Sequence, residues 1–242
     1  MDDVDADRAA RMILQWARDG HAARIVTLGT EMVVHALHDR RFREIVNESA
    51  LVVCDTVGVL AVARRRGATL RERVTGIELM ERLCALCASE GVPIFLLGGA
   101  PGIAERAAAR LQARYPGLPV AGTSHGYFPQ EQSAEIARAV AASGARLLFV
   151  GMGSPRQEYW LAEHLEQTGC GAGIGVGGSF DVLAGAVRRA PPAWRRAGLE
   201  WLYRLVKEPS RWRRQMALPR FVLLAAYDEA VRALTTRRRD SA

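Results

Sequence analysis

Apolar residues keep two rhythms along this chain, and the two take turns. Short runs that are apolar almost throughout, at 24–28, 51–54, 92–97, 118–123, 146–150 and 172–176, have the length of buried strands. Stretches with apolar positions three and four apart, at 7–19, 33–47, 57–66, 103–114, 133–143 and 155–167, have the spacing of helices with one inward face. Strands separated by helices in this way form a mostly parallel sheet with helices on both faces and right-handed crossovers. The alternation stops after Ala190-Pro191-Pro192, and the rest is basic, Trp-rich and helical in pattern. The chain therefore reads as an α/β body over 1–190 followed by an appendage over 191–242.

Ligands of such sheets bind beyond the carboxyl ends of the strands. Thr27, Asp55, Gly98-Gly99, Gly151-Met152-Gly153 and Gly177-Gly178 all fall there. Asp55 closes a four-residue apolar run, where partial shielding from water raises the basicity of a carboxylate and suits it to accept a proton from a hydroxyl. Position alone serves a second reading equally, in which Asp55 caps the helix that follows.

The turn at 98–102 leads from strand to helix, a setting for either a phosphate cradle or a plain tight turn. It lacks the G-x-G-x-x-G spacing, which counts against a nicotinamide enzyme. In Gly151-Met152-Gly153-Ser154-Pro155-Arg156-Gln157-Glu158 small residues leave room for a ligand, and Gln157 can donate and accept. Gly175-Val176-Gly177-Gly178-Ser179-Phe180-Asp181 offers close backbone approach at another strand end.

Charge changes the picture of the appendage. The chain carries a net +7, yet residues 187–220 alone hold ten cations against two anions. Trp194, Trp201, Leu202, Leu205, Trp212 and Phe221 are interleaved with them, the composition of an interfacial helix facing anionic lipid. A solvated basic helix packing its Trp residues on the body is the blander reading, and a nucleic-acid surface a further alternative.

No run approaches the ~20 apolar residues of a spanning helix, and the acidic start is unlike a secretory signal, so the expected location is the cytoplasm. Cys54, Cys84, Cys87 and Cys170 read as reduced, buried thiols. Asp3-Val4-Asp5-Ala6-Asp7 contains a D-x-D spacing, but ahead of the first helix it reads as helix-start charge on a frayed terminus. The five histidines show no ligand spacing, so neither a metal nor another cofactor is indicated.

Taken in order, these elements resemble the WecG/TagA/CpsF glycosyltransferase family over roughly residues 20–220. The matching positions are Thr27 with Glu31, Asp55 with Gly58, Arg73-Val74-x-Gly76, Gly98-Gly99, Gly151-x-Gly153-x-Pro155-x-Gln157-Glu158, and Gly175-Val176-Gly177-x-x-Phe180-Asp181. Gly185, Arg189-Ala190-Pro191 and Gly198-Leu199-Glu200-Trp201-x-x-Arg204 follow, then Glu208-Pro209, Arg211 and Arg214. Gly29, Thr56 and Glu78 stand where the family commonly has Asn, Gly and Asp.

The resemblance implies a Rossmann-like body, and metal-independent inverting transfer from a UDP-sugar to a polyprenyl-diphosphate-linked sugar, peripheral on the inner face of a bacterial plasma membrane. It implies Asp55 as base, Thr27 and Gln157 as polar active-site residues, and Arg204, Arg211 and Arg214 as appendage arginines at the diphosphate. Gly98, Gly99, Gly151, Gly153, Gly177 and Asp181 complete the expected donor site. A non-catalytic nucleotide-sugar-binding module tethered by the tail is the alternative from a different class.

Overall fold

The computed structural model describes residues 1–196, 199–207, 212 and 216–240, with the side chains of 195, 196, 204 and 230–240 left aside. Its centre is one six-stranded sheet in the order β2-β1-β6-β5-β3-β4, all neighbours parallel. The strands are β1 Ala23–Leu28, β2 Leu51–Cys54, β3 Ile94–Gly98, β4 Val120–Ser124, β5 Leu147–Gly151 and β6 Ala172–Gly175. Each coincides with one of the apolar runs.

Because side chains alternate across a strand, each run feeds two cores. Ile94, Leu96, Leu147, Phe149 and Ile174 point to one face, where they meet α1 (Ala6–Asp19), α5 (Gly76–Glu90) and α6 (Ile103–Arg114). Phe95, Leu97, Leu148 and Val150 point to the other face, under α7 (Ser133–Ala142) and α8 (Arg156–His164). Val26, Leu28, Val52 and Cys54 extend that second face beneath α2 (Thr30–His38), α3 (Arg40–Asn47) and α4 (Val57–Arg65). All four thiols are unpaired and buried, and burial pushes each of them up.

Two expectations need correcting. The helix expected over 33–47 is two helices, because Asp39 takes an extended backbone and its carboxylate accepts the Phe42 N–H at 2.9 Å, capping α3. The N-terminus is tied down rather than frayed. Asp2 accepts the Val52 N–H at 2.8 Å, Asp3 accepts the Arg71 N–H at 3.0 Å, and Asp5 caps α1 through the Arg8 N–H. The D-x-D spacing thus belongs to caps and anchors, as its place before a helix suggested.

After β6 come α9 (Ser179–Leu183), α10 (Pro192–Arg196), α11 (Glu200–Lys207) and α12 (Ala217–Asp240). The long α12 returns to the body: Phe221 is buried with Met32, Val59 and Ala63, and Arg66 pairs with Asp228 at 2.6 Å. Among the described residues no helix is long and apolar enough to cross a membrane.

Candidate active site

Parallel strands with one polarity bring all their carboxyl ends to the same edge, and a cavity of about 730 Å³ opens there. Strand pairing sets its floor. Thr27 stands opposite Val53 and Leu28 opposite Cys54, so the Asp55 N–H continues the ladder to the Leu28 carbonyl at 3.0 Å. The Val74 N–H reaches the Cys54 carbonyl at 2.8 Å, which carries residues 73–76 across the end of β2.

Asp55 is half-buried, and its Oδ1 accepts the Gly76 N–H at 3.0 Å. Gly76 opens α5, so the carboxylate faces the amide-rich end of a helix distant in sequence. The N-cap position of the helix that follows is Thr56, whose own side chain makes no capping bond. Thr27 donates its hydroxyl to the Gly175 carbonyl at 3.0 Å, fastening β1 to β6. A methyl group on Gly76 would lie 3.4 Å from that hydroxyl oxygen, so Thr27 and Asp55 converge on one glycine.

The glycine turns divide by task. Gly99, Gly151, Gly153 and Gly177 line the cavity, as does Asp181. Gly98 lies behind it, where a Cβ would meet the Gly151 backbone at 2.5 Å; its lack of a side chain serves the close approach of β3 and β5. Gln157 reaches the cavity but is only 4% exposed, and its Oε1 accepts both the Gly153 N–H at 3.2 Å and the Gly177 N–H at 3.1 Å.

Several lining residues escaped the sequence reading or stood in it only as motif letters. Arg156 donates to the Gly126 and Phe128 carbonyls at 2.7 Å each and lies over the Phe128 ring. It thereby fixes the loop that holds Tyr127, an aromatic ring 73% exposed at the cavity. Arg73 and Glu200 line the opposite side, 3.9 Å apart, and Glu200 is 3.8 Å from Arg189. Arg189 also binds Glu78 at 2.7 Å. Burial pushes the Glu78 carboxyl up, but hydrogen bonds from Thr75 and Arg189 outweigh it and leave the group below its ordinary value.

Trp201, Ala217 and Leu218 bring the appendage to the rim. Arg211 and Arg214 lie outside the described residues, as does the side chain of Arg204. Among the described residues no three His, Cys, Asp or Glu side chains are grouped to hold a metal ion.

The arrangement offers a carboxylate, a hydroxyl and several close-approach glycines at one end, with guanidinium groups at the side. Compared with known families, residues 1–236 match the model of the Glycosyl transferase WecG/TagA/CpsF family.

Proposed function

The chain belongs to the WecG/TagA/CpsF glycosyltransferase family, and from that premise we propose that it moves a sugar from a UDP-sugar to a polyprenyl-diphosphate-linked saccharide in bacterial cell-surface polysaccharide or teichoic acid synthesis. A glycosyltransferase needs a nucleotide-sugar donor and a sugar acceptor; the finer identities are our reading. The observation that carries it is Asp55, held at the end of β2 by the Gly76 amide, beside Thr27 and inside the cavity.

In this reading Asp55 takes the proton from the acceptor hydroxyl as its oxygen bonds to the anomeric carbon. The bond from that carbon to the UDP oxygen breaks on the opposite side, so the configuration inverts. Thr27 helps orient the acceptor, while Gln157 sets the glycine turns. Charge growing on the departing diphosphate is met by backbone amides near Gly99, Gly151, Gly153 and Gly177 and by guanidiniums, the group best shaped for phosphate. Arg204, Arg211 and Arg214 are proposed for that task without a metal ion. Tyr127 and Asp181 offer a stacking face and a hydrogen-bonding group for the donor's uracil ring.

We also assign residues 191–242 to the inner membrane surface. Ten of the fourteen exposed large apolar side chains among the described residues lie between Trp194 and Tyr227, in the most basic part of the chain. Apolar surface rimmed by cations suits a layer of anionic headgroups.

The test is a panel of UDP-sugars, including N-acetylmannosamine, glucose and galactose donors, against short polyprenyl-diphosphate sugars, with product mass as the readout and a chelator in parallel. Products should form with and without chelator. Absence of any acceptor-dependent UDP release would remove the reading. Asp55→Asn should keep UDP affinity while turnover falls by roughly 10²–10⁴, and unchanged turnover would strip Asp55 of the role.

A further inference from the structure

Glu158 follows Gln157 in α8 and is 3% exposed. Carboxylates are seldom buried so deeply, because leaving water costs them several kcal/mol unless polar partners compensate. Here the compensation is one-sided. Oε1 accepts the Gln157 Nε2–H at 2.7 Å, whereas Oε2 is buried without a hydrogen-bond partner. Burial pushes this carboxyl up and the charge of Glu31 adds to the effect, against hydrogen bonds from Gln157 and Ser154.

What the group achieves is visible one residue back. Gln157 directs its carbonyl oxygen at two backbone N–H groups, those of Gly153 and Gly177, in two separate turns. The two ends of a carboxamide have almost the same shape, so sterics alone do not decide which end faces those amides. Reversed, the NH₂ would oppose two N–H donors, and both turns would have to move. Those two donors favour the oxygen end, and Oε1 of Glu158 holds the choice from the other side, because of the two ends of the carboxamide only NH₂ can donate to it. Gly175 leaves the room required, since a Cβ there would lie 2.5 Å from Gln157 Nε2 and 3.2 Å from Glu158 Oε1.

We propose that Glu158 is a positioning residue for the transfer reaction: it fixes the orientation of the Gln157 carboxamide and, through it, the spacing of the two glycine turns that floor the donor cavity. The inference rests on the reading of that cavity as the UDP-sugar site. The clamp itself has a readout that needs no ligand.

Two full-length variants separate the roles. Glu158→Gln keeps an oxygen able to accept from Gln157, while Glu158→Met fills the same space, offers no acceptor and removes the unpartnered oxygen from the core. In Glu158→Met the Gly153 and Gly177 amides should exchange with solvent about five- to tenfold faster, the factor that accompanies loss of one neutral hydrogen bond. UDP affinity should weaken by a similar factor, with Tm no lower than that of the natural chain. Glu158→Gln should stay within about twofold on both counts, because its acceptor remains.

Unchanged exchange in Glu158→Met would overturn the proposal. So would a lowered Tm with faster exchange spread across α8 and β6, which would assign Glu158 to holding the fold. Equal behaviour of the two variants would overturn it as well. A natural chain that fails to bind UDP while the two amides respond as stated would retire the donor reading and leave the clamp in place.

Discussion

Gly98 and Gly144 both hold backbone conformations that L side chains rarely adopt, with φ of +149° and +72°, but only Gly98 is crowded. Gly144→Ala therefore carries the left-handed backbone cost alone, about 1–2 kcal/mol. Gly98→Ala adds a clash with the Gly151 backbone, roughly 1–3 kcal/mol more, and denaturant melts of the two variants measure the difference. Equal stabilities would mean that β3 and β5 part without resistance.

Glu78 supplies a pH dependence with a definite sign. Its folded pKa is depressed, so the stability it contributes is present above the ordinary carboxylate range and is lost as pH falls through the folded value. Glu78→Gln should flatten the acid side of a plot of melting temperature against pH, and an unchanged acid limb would contradict the Thr75 and Arg189 contacts. At this scale Asp55 is legible in sequence, since a carboxylate closing an apolar run has little choice but the strand terminus. Its partner is not, because Gly76 is 21 residues further on and arrives only when residues 73–76 cross the end of β2. The engagement of Gln157 was equally hidden, for nothing in its neighbours tells which amides its oxygen will find.

Elements were read well where burial dictates them. β2, β3, β5 and β6 are short runs buried almost throughout, on both faces, and such runs leave few alternatives. The break between α2 and α3 was missed because the apolar spacing continues through it; a single side chain competing for the helix amides ends one helix and starts the next. The strand order was also out of reach, since pairing between distant segments is set by packing and crossover hand rather than by any local pattern.

The appendage elements carry two predictions. Phe221→Ala should free α12 from the body, at a cost of about 3–5 kcal/mol for a buried phenyl ring, seen as faster proteolysis within residues 216–230; unchanged cleavage would mean that the ring anchors nothing. Glu200 stands 3.9 Å from Arg73 and 3.8 Å from Arg189 and offsets their charge at the cavity. An ion pair at such a distance interacts by about 1 kcal/mol even in water, so if the proposed diphosphate site uses these guanidiniums, Glu200→Gln should release them and tighten pyrophosphate binding roughly fivefold in calorimetry. Weaker binding would make Glu200 a partner of the anion's site rather than its rival.

For the molecule as a whole, charge and exposed apolar surface coincide in one region. If each cation near an anionic bilayer contributes ~1 kcal/mol, flotation with vesicles rich in acidic lipid should capture the chain at low salt. Raising the salt to about 1 M shortens the screening length to ~3 Å and should release most of it. Equal capture by zwitterionic vesicles would reject the charge-led account and leave the apolar side chains as the cause. The lopsided charge was plain in the sequence. The return of α12 to a helix pair near the beginning of the chain was not, for a helix rich in exposed Leu, Val and Tyr gives no hint that one phenyl ring is its anchor.

That anchor ties the order of synthesis to the completion of the fold. The ring shares a buried cluster with residues 32, 59 and 63, which leave the ribosome more than 150 positions earlier. Until α12 emerges, a nascent chain displays the greasy seat awaiting it, so that surface is withdrawn from chaperones only after residue 221 has left the ribosome.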